Sequence, residues 1–122
     1  MVMATKRYHA ELGFPKGVKL PEGLGVMRWT SHAIQASKND RYGNIPASST
    51  IDFATARLIE VDMEGGKVVK YLTRTPLPGT KLDVVHALKV LPDGAYLVKT
   101  VWLNERNDAH QTLDTSRYNR VG

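Results

Sequence analysis

The sequence predicts an α+β domain, an antiparallel four-stranded meander sheet with one short N-terminal helix packed on it. Three observations carry this expectation. From residue 56 to residue 103 the chain contains four strand-like runs, most clearly alternating over Ala56 to Met63 and Lys81 to Leu91. Short turn signals rich in glycine, proline and aspartate separate them. A single stretch, opened by Thr30-Ser31, offers capping residues followed by a helix-compatible run.

Residues 1–23 read as an irregular lead-in, because Gly13, Pro15, Gly17, Pro21 and Gly23 interrupt any long helix or strand. Residues 24–118 form the single domain. Leu24 to Trp29 suits a short strand, and the helix runs from His32 to about Asp40 with Gly43 as its stop. Residues 44–54 read as a loop, with Pro46 and the run Ser48-Ser49-Thr50. Ala56 to Met63 places Ile59, Val61 and Met63 on one face, and Glu64-Gly65-Gly66 turns the chain back into Lys67 to Thr75. Pro76-Leu77-Pro78-Gly79 forces a longer connection. Lys81 to Leu91 then carries Leu82, Val84, His86, Leu88 and Val90 on one face, and Pro92-Asp93-Gly94 leads into Ala95 to Leu103.

Composition narrows the function classes. Hydrophobic residues make up 42% and charged residues 24% of 122, ordinary values for one globular domain. With no cysteine, disulfides, thiolate metal sites and cysteine nucleophiles are excluded. No apolar run reaches the ~18 residues of a membrane span, and Met1 to Arg7 lacks a signal-peptide core, so a cytoplasmic protein is expected. Seventeen basic residues against twelve acidic ones leave a net charge of +5, which favours a polyanionic partner. Neither a glycine-rich phosphate loop nor a serine elbow is present, and no cofactor is implied.

Several residues are candidates for chemistry. His32, at the helix start, lies where the helix dipole disfavours a positive ring, so a neutral imidazole able to accept a proton is expected there. Arg74, alternating with Leu72 and Lys70, could fork two hydrogen bonds to a phosphate. Thr100, Trp102 and Asn104 share one alternation, with Tyr96 and Val98 before them, and combine a hydroxyl, an aromatic face and an amide. Arg41, Tyr42 and Arg106 add basic and aromatic contacts. His86 reads as a core histidine. Asp108, His110 and Asp114 have metal-ligand chemistry, but a turn explains Asp108 better and no metal site is assigned.

The order Arg28-Trp29-Thr30-Ser31-His32-Ala33, a helix, then hairpins ending in Lys99-Thr100-Val101-Trp102 resembles the toxin-type ribonucleases of the barnase–colicin–RelE group. Asp40-Arg41-Tyr42-Gly43 and Thr100-Val101-Trp102-Leu103-Asn104 also resemble segments of a family of small tailed-phage proteins. The ribonuclease resemblance implies a metal-independent endoribonuclease. His32 would take the proton of a ribose 2′-hydroxyl, and Arg74 would stabilise the phosphorane. Thr100 would sit in the cleft, and His110 or His86 would protonate the leaving oxygen. One helix and a long lead-in depart from that group, which has two helices. The phage resemblance implies instead an accessory protein in the host cytoplasm, binding a host factor or nucleic acid (RNA favoured) or serving as a minor structural component. Arg41, Tyr42, Trp102, Asn104 and Arg106 would be its nucleic-acid contacts. An edge strand of the meander would also permit a homodimer.

Overall fold

The structure, a computed structural model, describes residues 4–108 and 115–121. Its strands are β1 (Lys6–His9), β2 (Leu24–Trp29), β3 (Thr50–Asp52), β4 (Arg57–Glu64), β5 (Lys67–Pro76), β6 (Leu82–Val90) and β7 (Tyr96–Glu105). The helix α1 (Ser31–Lys38) follows β2, and short 3-10 turns occupy Phe53–Thr55 and Thr115–Arg117.

The expected four-stranded antiparallel meander is not the sheet that forms. The sheet has seven strands in the order β1-β4-β5-β6-β7-β2-β3, and it is mixed, because β2 runs parallel to β7. Of the three strands outside the meander, β2 is the short strand expected at Leu24 to Trp29, here joined to the same sheet, and β1 and β3 are unexpected. β1 lies within the expected irregular lead-in yet pairs Lys6 to His9 with Met63 to Glu60. β3 lies within the expected loop and pairs with β2. Four and three residues are too few to display an alternation that a sequence can be read from.

Local rules shape the longer elements. Gly65 and Gly66 take φ values of +58° and +79°, the two successive positive angles of a tight hairpin turn that matches sheet twist. Thr30 caps α1, its Oγ1 accepting from the Ala33 N–H at 3.0 Å. The same hydroxyl donates to the Val98 carbonyl at 3.1 Å and so pins the helix start to β7. Ala33 and Ser37, one turn apart, are the buried side of α1.

β6 is central and buried on both faces. Val84 and Leu88 point into the main core with Met27, Ala33, Ile51, Phe53, Val98 and Val101. The sheet curls over this core, so that Met27 and Ile51 of β2 and β3 face Thr75, Val84 and His86 of β5 and β6 across a cavity. Close approach at the curl requires Gly25, since a Cβ there would stand 2.6 Å from the Phe53 ring. Asp83, Val85 and Ala87 point to the opposite face, beside Arg74 and Leu72 of β5.

Irregularities in the β4–β5 and β6–β7 ladders change the expected facing. An extra residue at Ile59 puts Leu58, paired with Thr73, on the opposite face from Glu60, paired with Leu72, and Asp62, where uninterrupted alternation would keep the three together. An extra residue at Lys99 lets Val98 enter the core opposite Leu88 while Thr100 stands opposite Ala87 on the other side. Val98 therefore does not share a face with Thr100 and Trp102, as uninterrupted alternation would have it.

Candidate functional site

The face of the sheet away from α1 carries an unusual density of charge. Asp83, 2% exposed, receives three guanidinium groups. Arg74 Nε donates to its Oδ2 at 3.1 Å, Arg106 Nε to its Oδ1 at 2.9 Å, and Arg57 Nη2 lies 3.5 Å from Oδ2. Arg74 and Arg106 also donate to the Glu105 and Leu82 carbonyls, at 2.8 and 2.9 Å. Three positive charges on one carboxylate leave this cluster with an excess of two.

A second cluster lies across the same face at β1 and β4. Arg7 Nε donates to Asp62 Oδ1 at 2.7 Å and lies 3.5 Å from Glu60 Oε2. The bond to Asp62 holds the Arg7 guanidinium more firmly protonated than usual. Tyr118 donates its phenol proton to Glu60 Oε1 at 2.7 Å, and its ring meets His9 edge-on at 4.9 Å. Desolvation, with the Glu60 bond, pushes the Tyr118 phenol up to about 12.

Between the clusters lies a cavity of about 160 Å³ bordered by His9, Ile59, Arg74, Trp102, Asn104 and Tyr118. Trp102 and Asn104 also wall a wider depression of about 520 Å³ that reaches Asn39, Asp40 and Arg41. The two hollows therefore share Trp102 and Asn104 as a wall, and the outer one is a groove over the end of β7. That groove exists because β2 pairs only with Tyr96 to Val98 of β7. Beyond Val98 the loop after α1 takes the edge, with Asp40 Oδ1 accepting from the Leu103 N–H at 3.1 Å. The arrangement sets Arg41 beside Trp102. Arg41 itself lies over the Tyr42 ring, 4.7 Å from its centroid.

The expected site residues are thus divided. Arg74, Trp102 and Asn104 border the inner cavity, Arg41 the outer hollow, Thr100 stands on the same sheet face, and Arg106 joins the Asp83 cluster. Arg74 is not a solvated strand arginine: it is 2% exposed and ion-paired. His32 is exposed on α1, which packs on the other face of the sheet, so His32 and Arg74 do not converge. His86 also points to the α1 side, and burial pulls its imidazole down to about 4. His110 and Asp114 lie outside the described residues, and among those described no group of histidine and acidic side chains is placed to hold a metal ion. No described helix is long and apolar enough to cross a membrane.

Sequence reading missed Asp83, His9, Glu60 and Tyr118. Asp83 left one usable signal, an acid inside the apolar run Leu82 to Val85, which asks for a buried cation. The His9–Tyr118 contact joins the two ends of the chain and leaves no local pattern. No protein-family model, no curated protein and no solved structure matches this chain.

Proposed function

We propose that the protein binds single-stranded nucleic acid, RNA favoured, along the groove that crosses Trp102 and Asn104. The observation that carries this reading is Trp102 itself: an indole 37% exposed on a strand, in a groove whose walls also bear Arg41 and Asn104, with the carboxylates of Asp40, which accepts from the Leu103 N–H, and Asp108 beside them. An exposed aromatic face stacks any base, and guanidinium groups neutralise the adjoining phosphates. Arg41 and Tyr42 are already stacked, which lowers the entropy cost of presenting them. The excess charge of the arginine cluster around Asp83 and the net +5 of the chain favour the same polyanion. Binding of this kind suits an accessory protein of a tailed phage, working in the host cytoplasm.

Binding is favoured over cleavage by what the neighbouring polar groups already do. His9, Arg74 and Tyr118 meet in the inner cavity, a set that acid–base chemistry could use. Each is committed to an internal partner: His9 Nδ1 accepts from the Glu11 N–H, Arg74 pairs with Asp83, and Tyr118 donates to Glu60.

Fluorescence anisotropy with a labelled single-stranded RNA, over a salt series, tests the reading. Trp102→Ala is expected to weaken binding by about tenfold. Arg41→Ala should lower the slope of log affinity against log salt by about one. Binding that is insensitive to salt, or equal in wild type and Trp102→Ala, would remove this site. Running the bound RNA on a gel shows in the same tube whether it is cut.

A further inference from the structure

We propose that the cavity between β2–β3 and β5–β6 is a binding site for a small neutral heterocycle carrying an N–H donor and a ring-nitrogen acceptor, held by His86 and Thr75. This site lies on the α1 side of the sheet, separate from the groove over Trp102, and does not depend on nucleic-acid binding.

The cavity measures about 230 Å³ and is walled mainly by apolar side chains, among them Met27, Ile45, Ile51 and Val84. Pro46, Pro76 and Pro78 stiffen its rim. Apolar walls with a few convergent polar groups are the usual make-up of a small-molecule site, and this volume suits one or two fused rings rather than a drug-sized ligand.

The polar groups are unusual. His86 is 7% exposed, and its Nδ1 has no hydrogen-bond partner among the described residues. Thr75 Oγ1, on the neighbouring strand and bordering the same cavity, is buried and also without a partner. Thr73, directly opposite His86 in the β5–β6 register, holds a third unpartnered oxygen. Buried polar atoms in a folded protein are nearly always bonded, so three adjacent exceptions call for a cause. A ligand presenting a donor beside an acceptor would satisfy the two that border the cavity, His86 and Thr75, since a neutral imidazole has one of each and a threonine hydroxyl can act as either.

The ligand's charge follows from the surroundings. Burial keeps the His86 ring neutral, so it offers an anion no counter-charge. Asp52 stands at the cavity wall and repels an anion as well. A cation would have to give up its water among the apolar walls, and its carboxylate partner Asp52 is itself exposed to solvent. A neutral, ring-shaped ligand is what remains.

Benzimidazole, which has the required N–H and ring nitrogen on two fused rings, is the probe. It is titrated into the full chain while the His86 ring nitrogens are followed by long-range proton–nitrogen NMR. A saturable displacement of both His86 nitrogen resonances is expected, with binding about tenfold weaker in the near-isosteric Thr75→Val. Indene, a bicycle of the same size with neither the N–H nor the ring nitrogen, is expected to bind at least about tenfold more weakly, and equal binding of indene would overturn the proposal as well. His86 resonances unmoved up to the solubility limit of benzimidazole, or equal affinity in Thr75→Val, would overturn the proposal.

Discussion

The imidazole of His86 stands on a strand face otherwise given to Leu82, Val84, Leu88 and Val90. Burial alone lowers its proton affinity, to a pKa of about 4. In the unfolded chain a histidine takes its proton near pH ~6.5, so below that value the unfolded state binds a proton that the folded state refuses. The folded state is therefore at full advantage above pH ~6.5 and loses it as the pH falls toward ~4. Between pH ~7 and pH ~5.5, where most carboxylates stay ionised, the loss is about 1 kcal/mol. Urea unfolding at the two pH values should show it for the wild type and show a smaller loss for His86→Met. Equal losses in both would assign the effect to another group. His86 was readable as a core histidine because it interrupts a clean alternation. Arg74 was not readable in the same way: nothing next to it in sequence says that Asp83, nine positions later, will be its partner.

At the scale of elements, the hairpins were legible because their causes are local. Gly65-Gly66 and Pro92-Asp93-Gly94 sit within a few residues of the strands they join, and those strands form where alternation and turns place them. The helix was legible for the same reason, since Thr30 acts on the N–H of a residue three positions later. Thr30→Ala is expected to cost about 1–2 kcal/mol, because it removes the cap and the tie to Val98 together. Thr30→Ser should recover most of that in equilibrium unfolding. A Thr30→Ala variant as stable as wild type would show that α1 is held by Ala33 packing alone. What escaped reading were the bulges at Ile59 and Lys99. Each moves one residue out of register and hands the following side chains to the opposite face, and no residue type announces it. The candidate groove depends on the second bulge, which separates Val98 from Thr100 and Trp102.

At the scale of the whole molecule, the unread part of the fold is its long-range pairing. β1 meets β4 about fifty residues away, and Met27 to Trp29 meet Tyr96 to Val98 about seventy residues away. Pairing over such distances depends on the complete chain, so it leaves no mark within a short window of sequence. The β2–β7 pairing also has a consequence in time. Contacts between neighbouring hairpins close quickly, whereas contacts across a long loop come late. The amides of β5 and β6 should gain protection in pulsed hydrogen exchange before those of Met27 to Trp29. Simultaneous protection would place β2 in the folding nucleus instead. During synthesis, at roughly 5–20 residues per second, β2 waits several seconds for its parallel partner to leave the ribosome. Leu24 and Val26, exposed even in the finished fold at 72% and 54%, belong to the strand that waits. The interval before β7 arrives is therefore when this chain is most open to pairing with the wrong neighbour.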